Sequence, residues 1–444
     1  MCGIHLIWGK GANKASIQDL VSASRHRGPD QEAIYSPWPG LWIGVNRLRI
    51  LHPGPDADQP FWTKDGIGLL IWNGEIYNFR ELRKLLQSLG VEVVTQSDTE
   101  VLVYYLKFFG TEGLKKIQGM FTLIYVDLVG KSVLVARDPN GEKPLYFAQN
   151  PDTLYISSES RGLAQLTHAK ADLEQVENYF YFRNPAPGKT FYRGVRAWKP
   201  GRYSQIFHHN TFRWDTLSIP SSAEKTITKD YFKTTLEKVI ANQFHADVPL
   251  GIMLSGGVDS SLLYALWYQQ TGTPLPAFTV QVEKRYRKKY ADGDAAKRFV
   301  QSYPADHQLI EIDQKTVLDH WDEFVQSIDQ PIGDSAGFLT WMIGKKAKNQ
   351  VKVIASGAGA DELWGGYQRH KAFQQYLSNQ SFWVSWAPLL QKFPFGREWK
   401  KFTSAIRPNA QETFLNFSAL SNPNPDLYGD YLRIMDSNLT AYKS

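Results

Sequence analysis

The sequence is nearly free of cysteine: Cys2 is the only one among 444 residues. One cysteine cannot form a disulfide within the chain, which is typical of proteins in a reducing compartment. No apolar run reaches the ~20 residues that span a bilayer. The N-terminus also lacks the basic and apolar regions of a secretory signal. The sequence therefore predicts a cytoplasmic protein without membrane contact.

The chain has no strong excess of charge of either sign. Lysine and arginine number 50 against 44 aspartates and glutamates, so the formal net charge is +6. That charge mildly favours anionic ligands and does not require a nucleic-acid partner, so we expect none. The composition is 43% hydrophobic, which is enough to bury substantial cores. The length predicts two to three domains at ~150 residues each.

The first half of the chain is predicted to consist mostly of short strands joined by glycine and proline turns. A helix is predicted at 78–90, and a second one at 99–108 follows the N-cap candidate Ser97 and ends at Gly110. The strands are predicted where aromatic and β-branched residues cluster, at 41–51, 67–78, 121–138 and 154–159.

The pattern changes after a polar stretch at 206–228, which we interpret as a linker. Beyond it, predicted helices alternate with apolar strands such as "VPLGIMLS" and "AFTVQVE". This alternation indicates an α/β domain with a parallel sheet and helices on both faces. The predicted domains are therefore 1–205 and 229–444.

Cys2 stands directly behind the initiator methionine, where little surrounds it to pack against. A small second residue permits removal of Met1, after which Cys2 carries both a thiol and a free α-amine. An α-amine has a pKa of ~7.7–8.0, so it can act as the base for a thiol on the same residue. This position favours a nucleophile over the buried structural role that a lone cysteine usually has.

Three short motifs supply what such a nucleophile needs. In "WNGEIYN", the Asn73 amide and the Gly74 backbone N–H can stabilise an oxyanion. Arg47 in "NRLRIL" can bind an α-carboxylate through two bonds, and Asp98 in "QSDTE" can bind an α-ammonium. A carboxylate, an ammonium and a side-chain amide together describe glutamine.

These motifs also occur in a recognisable order. "MCGI", "HRGPD", "RLRI", "NGEIYN", "SDTE" and "ARDPNGEKPLY" follow one another within residues 1–146. The set resembles a class II glutamine amidotransferase domain. The resemblance implies a four-layer N-terminal-nucleophile fold, an αββα sandwich, that hydrolyses glutamine to glutamate and ammonia. It further implies Cys2 as the nucleophile, Asn73 and Gly74 as the oxyanion hole, and Arg47, Glu75 and Asp98 as glutamine ligands.

A glycine loop, "LSGGVDSS" at 254–261, follows a predicted strand and opens a predicted helix. Gly256 and Gly257 let backbone N–H groups approach an anion at the helix N-terminus. Asp259 would repel phosphate, but it is explained if it holds Mg²⁺ that bridges to the phosphates. The Walker pattern GxxxxGK[ST] is not met, which disfavours a P-loop NTPase. The hydroxyl groups available to phosphate oxygens are those of Ser255, Ser260 and Ser261.

A second loop, "SGAGADELWGGY" at 356–367, repeats this design after another strand. Ser356 and Gly357 form its turn, and Asp361 is a better candidate for Mg²⁺ than Glu362. Together with "DQPIGDS" at 329–335, the two loops resemble the pyrophosphate-loop ATPases of the asparagine synthetase family. The resemblance implies transfer of AMP to a carboxylate. It also implies adenylate contacts at Leu254, Val280 and Gly357 and pyrophosphate contacts at Ser255, Gly257, Asp259 and Ser260.

The sequence departs from the family pattern in three places. His5 and Leu6 stand where the amidotransferases usually have small residues, and Ala358 occupies a position that is commonly acidic in asparagine synthetases. The Lys-x-Asp-Arg and Glu-x-Arg-x-Pro-Phe segments that usually follow do not occur in this sequence. The third departure predicts a shortened second domain whose acyl-transfer machinery is altered or lost.

The two halves together predict a glutamine-dependent amide-forming ligase, like asparagine synthase, that uses ATP and Mg²⁺. Ammonia released at Cys2 would attack a carboxylate activated by adenylation, with aspartate as the default acceptor. Three alternatives stay open at this point. They are another carboxylate acceptor in sugar or natural-product modification, a glutaminase with an inactive synthetase half, and a non-catalytic protein. The sequence also leaves a homodimer open.

Overall fold

The computed structural model describes residues 1–419 except 210, 212, 218–226, 284, 286–291 and 395. The chain forms two compact units. Part of the predicted linker at 206–228 lies outside the described residues, and the boundary there stays a prediction. Unit 1 consists of 1–171, 192–330 and 340–355, and unit 2 consists of 172–191, 331–339 and the chain from 356 onward.

The strands lie in unit 1 and the helices are divided between the units. The strands are β1 (Gly3–Gly9), β2 (Gln31–Trp38), β3 (Leu41–Arg47), β4 (Phe61–Trp62), β5 (Gly68–Ile76), β6 (Gly119–Asp127), β7 (Ser132–Arg137), β8 (Tyr146–Asn150), β9 (Thr153–Ser157), β10 (Val195–Ala197), β11 (Arg202–Ile206), β12 (Asp215–Thr216), β13 (Leu250–Met253), β14 (Pro276–Val282), β15 (Asp306–Ile312) and β16 (Val353–Ala355). The helices are α1 (Lys14–Ala23), α2 (Phe79–Ser88), α3 (Asp98–Gly113), α4 (Ser160–Leu166), α5 (Leu173–Phe182), α6 (Lys229–Gln243), α7 (Val258–Thr271), α8 (Asp292–Ser302), α9 (Gln314–Ser327), α10 (Ala336–Ala347), α11 (Ala360–Trp364), α12 (Gln368–Ser378), α13 (Gln380–Leu390), α14 (Arg397–Ala405) and α15 (Ala410–Ser418).

The N-terminal part of unit 1 is an αββα sandwich, as the sequence predicted. One antiparallel sheet has the order β10-β8-β9-β1-β3-β2, and the other has the order β12-β11-β7-β6-β5-β4. A core of buried side chains from β1, β3, β5, β6 and β7 lies between the two sheets. Helices α1 and α4 cover the outer face of the first sheet, and α2 and α3 cover that of the second.

Strand β1 shows how the layers fix the position of Cys2. Its side chains alternate between two buried faces, because one face meets the second sheet and the other meets helices. Leu6 packs in the core between the sheets, and Ile7 packs against α1 and α4. Six of its seven residues are consequently buried, and Cys2 stands at the edge where this strand begins.

Helix α3 begins where the sequence predicted it and ends later. The Ser97 side chain accepts a hydrogen bond from the N–H of Thr99, so it caps the helix. Gly110 does not end the helix; it has φ 51° and marks a kink, after which helical structure continues to Gly113. Glycine reaches such a φ without steric cost, which lets the chain bend there.

The C-terminal part of unit 1 contains the predicted parallel sheet. Its order is β15-β14-β13-β16, and every pairing is parallel. Helices α6, α7 and α8 bury Ile240, Tyr264 and Ala296 in one core with this sheet. In unit 2, the helices α12–α15 pack around Tyr376 and Phe417. Among the described residues, no helix combines the length and the apolar character needed to cross a bilayer.

Candidate active sites

The Cys2 residue is held from three directions. The backbone N–H of Leu48 points to the Cys2 sulfur at 3.4 Å, and the Cys2 N–H donates to Asn73 Oδ1 at 2.9 Å. The carbonyl oxygen of Cys2 accepts a bond of 3.1 Å from Arg27 Nε. The thiol is thus fixed between the end of β3 and the middle of the second sheet.

The pKa values of the Cys2 thiol and of the neighbouring α-amine suit a nucleophile that is activated by a base. Burial raises the pKa of the Cys2 thiol, although the neighbouring N-terminal amine and the Leu48 N–H oppose the change. Burial also lowers the pKa of the Met1 α-amine to about 6, so this amine is unprotonated at neutral pH and can accept a proton. Removal of Met1, which stays a prediction, would take that amine away and expose the α-amine of Cys2 itself.

Asn73 presents a free donor beside the thiol. Its Nδ2 is buried and has no hydrogen-bond partner in the described part of the chain, while its Oδ1 holds the Cys2 N–H. A buried amide without a partner costs free energy, which a developing oxyanion would recover. Gly74 follows on β5, where any Cβ would overlap the carbonyl of Met120 on β6, so glycine is required there.

The half-buried Glu75 and the buried Asp98 form a pair of acids. Burial raises the pKa of Glu75 well above its ordinary range, and the charge of Asp98 raises it further, whereas Lys143 lowers it. Burial also raises the pKa of Asp98, although the N–H of Ile76 donates to its Oδ2 at 3.2 Å. A bound ammonium group would favour the ionised forms of both acids. The pair therefore has the chemistry of a site for an amino group.

Arg47 is placed differently from what its predicted role suggests. Its guanidinium is buried and donates to Asp58 Oδ1 at 2.7 Å. It also donates to the carbonyl groups of Gly54, Leu51 and His52 at 3.0–3.3 Å. To bind the carboxylate of glutamine, Arg47 would have to exchange some of these bonds, so that role stays a prediction.

The first nucleotide loop, Leu254–Ser261, is organised by its own hydroxyl groups. Ser255 N–H donates to Ser260 Oγ at 3.2 Å, and Gly257 N–H donates to Ser255 Oγ at 3.2 Å. Gly256 has φ 71°, and any Cβ there would overlap the backbone of Ala295 in α8. The buried hydroxyl of Ser261 has no partner among the described residues.

The adenylate candidates of unit 1 flank this loop. Leu254 is buried, its N–H donates to the Phe278 carbonyl at 3.0 Å, and its own carbonyl accepts from the Thr279 hydroxyl. Val280 is half-buried on β14, the strand beside β13. The loop and the neighbouring strand thus meet at the carboxyl end of the parallel sheet, where ligands bind in open α/β folds.

The second loop, in unit 2, is more exposed. The Ala358 N–H donates to Ser356 Oγ at 3.3 Å, and Gly359 adopts φ 98° before the short helix α11. Asp361 is half-buried, whereas Glu362 is exposed and accepts a 2.7 Å bond from the Tyr367 hydroxyl. Asp361 is therefore the freer of the two carboxylates.

The donor set suits Mg²⁺ that is held mainly by its nucleotide. No cluster of three His, Cys, Asp or Glu side chains that could hold a metal ion occurs within the described ranges. Mg²⁺ commonly takes one or two carboxylates and completes its six ligands with phosphate oxygens and water. Asp259 in unit 1 and Asp361 in unit 2 are each compatible with binding Mg²⁺ in this way.

Two basic residues near Cys2 were not singled out from the sequence. Lys143 is buried, and its charge acts on both Glu75 and Cys2; burial lowers its own pKa. Arg27 binds the Cys2 carbonyl and lies 3.5 Å from Glu159. Lys143 lies in the motif "ARDPNGEKPLY" and Arg27 lies in "HRGPD". The motifs therefore contain both residues, but the sequence alone does not show what they contact.

Known families match both halves of the chain. A family model described as a glutamine amidotransferase domain matches residues 1–215, and one described as asparagine synthase matches residues 232–435. A putative glutamine-hydrolysing asparagine synthetase of Mycobacterium tuberculosis (strain ATCC 25618 / H37Rv) is 30% identical over 403 residues, covering 83% of this chain and 60% of the relative. Asparagine synthetase 1 of Bacillus subtilis (strain 168) is 28% identical over 384 residues, covering 84% of this chain and 60% of the relative.

Among solved structures, the allosteric regulatory enzyme of purine biosynthesis is similar at 17% identity and a TM-score of 0.39, over 70% of this chain and 80% of that one. This chain spans 60% of the length of the curated relatives named above. The two family models lie in tandem and together cover nearly all of its residues. The chain belongs to the glutamine-hydrolysing asparagine synthetase family.

Proposed function

We propose that this protein is a glutamine-dependent ligase that converts aspartate to asparagine with ATP. Membership of the family supports the overall reaction, and relatives that match 83–84% of this chain are described as asparagine synthetases. The observation that carries the amidotransferase half is the unpartnered Nδ2 of Asn73 beside the thiol. The single cysteine further supports a cytoplasmic location.

In the first half-reaction, the Cys2 sulfur attacks the side-chain carbonyl carbon of glutamine. The thiol proton passes to the α-amine, and the oxyanion accepts hydrogen bonds from Asn73 Nδ2 and the Gly74 N–H. The C–N bond then breaks, and ammonia leaves with the proton from the amine. Water hydrolyses the resulting thioester to glutamate and restores the thiol.

The glutamine substrate would be held by the two charged groups on its α-carbon. Glu75 and Asp98 would bind the α-ammonium, which stabilises the ionised forms that burial disfavours. Arg47 would bind the α-carboxylate after exchanging bonds that it makes with the 51–58 segment. Opening of that segment would thus accompany substrate binding.

In the second half-reaction, the loop at 254–261 would bind the phosphates of ATP. Its glycine backbone, the Ser255 and Ser260 hydroxyls and the free Ser261 hydroxyl provide neutral donors at the N-terminus of α7. Mg²⁺ held by Asp259 would neutralise phosphate charge, and Asp361 gives the second loop a carboxylate that could serve in the same way. Transfer of AMP to the aspartate side chain gives the carboxylate a good leaving group, and ammonia then displaces AMP to form the amide.

The proposal is tested by offering single carboxylates to the full chain with glutamine, ATP and Mg²⁺. We expect aspartate to cause pyrophosphate release, with asparagine, AMP and glutamate formed in equal amounts. Pyrophosphate release with another carboxylate and none with aspartate would overturn the choice of acceptor. Glutamate release without pyrophosphate for any carboxylate would identify a glutaminase instead.

A further inference from the structure

An ion pair outside both candidate sites joins the asparagine synthase part of unit 1 to its amidotransferase part. Lys352 Nζ lies 2.5 Å from Asp30 Oδ2, and the side chains are 31% and 25% exposed. A pair with this exposure usually adds little to stability, because solvent screens the attraction. Its place in the fold instead connects it to the backbone beside Cys2.

Asp30 connects the lysine to the backbone beside the thiol. The same Oδ2 that meets Lys352 accepts the N–H of Arg49 at 2.8 Å. The preceding residue, Leu48, donates its N–H to the Cys2 sulfur at 3.4 Å. One carboxylate oxygen therefore holds the Leu48–Arg49 peptide, which is the next peptide along the backbone from the one whose N–H faces the nucleophile.

The other end of this connection lies at the base of the parallel sheet. Lys352 immediately precedes β16, and its N–H donates to the Pro249 carbonyl at 2.9 Å. Pro249 immediately precedes β13, whose far end carries the first nucleotide loop. The lysine is thus anchored where two neighbouring strands of the nucleotide-binding sheet begin.

A second contact holds the same two segments together. Asp247 Oδ2 accepts the N–H of His52 at 2.8 Å, and the Asp247 N–H donates to the Ile50 carbonyl at 3.3 Å. The base of the sheet therefore meets the 48–52 segment through backbone groups as well. These contacts limit how far the segment can shift while the ion pair stays closed.

We infer that Lys352 is a positioning residue for glutamine hydrolysis, acting through Asp30 to keep the Leu48 N–H directed at the Cys2 sulfur. The inference rests on the proposed function, since it concerns the rate of that half-reaction. An N–H donor stabilises a thiolate, so a displaced Leu48 leaves the sulfur less readily ionised. The part of the chain that binds the nucleotide thereby sets the reactivity of a thiol in the other part.

The chain allows a direct test, because Cys2 is the only thiol that iodoacetamide can alkylate. In Lys352→Met we expect alkylation to require a higher pH than in the wild type. Turnover of glutamine should fall on the order of two- to tenfold, the effect of one hydrogen bond, with little change in KM. ATP turnover with ammonia should be unchanged, and Lys352→Arg should restore the alkylation profile.

Two further variants separate positioning from charge pairing. Lys348 is exposed and makes no ion pair in the part of the chain that the structure describes, so Lys348→Met is the matched control and should behave as the wild type. The exchanged pair Asp30→Lys with Lys352→Asp keeps the attraction but leaves no carboxylate for the Arg49 N–H. We expect it to stay slow, whereas restored alkylation and turnover in a folded exchanged pair would overturn the inference.

An unchanged alkylation profile and turnover in Lys352→Met would also overturn it. Failure of the proposed function has a different signature. If the wild type releases no glutamate from glutamine, the proposed function fails, while the alkylation profile still reports whether Lys352 acts on the thiol.

Discussion

At the scale of the residue, the proposed glutamine site is built from groups whose ionised forms are destabilised by burial. Asp98 is almost fully buried at the start of α3, and its pKa is raised mainly by burial. A carboxyl with a raised pKa in the folded state contributes its stability at low pH and loses it as the pH rises through that pKa. At neutral pH and above, an unliganded Asp98 therefore reduces the free energy of unfolding.

Replacing Asp98 with asparagine should stabilise the protein and impair glutamine use. The amide is always neutral and can still accept the Ile76 N–H, and loss of the charge also lowers the pKa of Glu75. We expect the Tm of Asp98→Asn to exceed that of the wild type by an amount that grows as the pH rises. The KM for glutamine should rise by about tenfold or more, since an ammonium loses a charged partner.

Thermal melts across a pH series and glutaminase assays check this prediction. The exposed Asp152 provides the control, because Asp152→Asn should change neither quantity. A lower Tm for Asp98→Asn at every pH would contradict the account.

His5 should make stability sensitive to acid. It is fully buried between Ser157 Oγ at 3.0 Å and Asn46 Oδ1 at 3.3 Å, and burial lowers its pKa from 6.5 to about 4. A histidine with a lowered pKa contributes stability above its unfolded pKa, and this is lost as the pH falls through the folded one. We expect His5→Gln to lose less Tm than the wild type between pH 6.5 and about 4.

Melts at the two ends of that pH range measure the difference. His208 is exposed, so His208→Gln should follow the wild type. An equal loss of Tm in His5→Gln and the wild type would show that His5 does not carry the effect.

At the scale of the element, the strand–loop–helix unit of β13 and α7 depends on one glycine. Gly256 combines φ 71° with backbone contact to α8, so alanine is both strained and too large there. The left-handed conformation alone costs a residue with a Cβ about 1–2 kcal/mol. We expect Gly256→Ala to raise the KM for ATP about tenfold or more and to leave glutamine hydrolysis intact.

Steady-state assays of pyrophosphate and glutamate in the same preparation separate these effects. Gly344 lies in α10 at an ordinary helical position, and a Cβ added there would meet open space, so Gly344→Ala is the control. An unchanged KM for ATP in Gly256→Ala would remove the loop from the nucleotide site.

The first turn of α7 should set the Mg²⁺ requirement. Asp259 is half-buried beside a loop that otherwise offers neutral donors, which a bridging cation explains. In Asp259→Asn we expect the Mg²⁺ concentration for half-maximal ATP use to rise at least about tenfold, while glutaminase activity is retained. Titration of Mg²⁺ in the variant and the wild type checks this, and an unchanged midpoint would exclude Asp259 as a ligand.

Elements that depend on local chemistry could be predicted from the sequence, and those that depend on distant contacts could not. The Ser97 cap and the turn at Gly256 follow from nearby residues, and both are present. Helix α1 was missed: its ten residues carry only a weak apolar pattern, and Ile17 and Leu20 are buried because they meet β1 and β3. The partners of Arg47 and Lys352 lie on other segments of the chain, so the residues next to each of them in sequence could not reveal these contacts.

At the scale of the whole molecule, the proposed function combines two chemistries that share only ammonia. The thiol belongs to the αββα sandwich and the first nucleotide loop belongs to the parallel sheet. Removing the nucleophile should therefore stop one reaction without preventing the other. Replacing Cys2 with alanine leaves the nucleotide loops unchanged in sequence and removes the only sulfur that can form a thioester.

The most direct test measures glutamate and pyrophosphate together in the wild type and in Cys2→Ala, with aspartate, ATP and Mg²⁺ present. With glutamine, we predict that the variant forms neither product while the wild type forms both. With ammonium salt in place of glutamine, the variant should release pyrophosphate and form asparagine at the rate of the wild type. Loss of pyrophosphate release from Cys2→Ala at saturating ammonia would contradict the account.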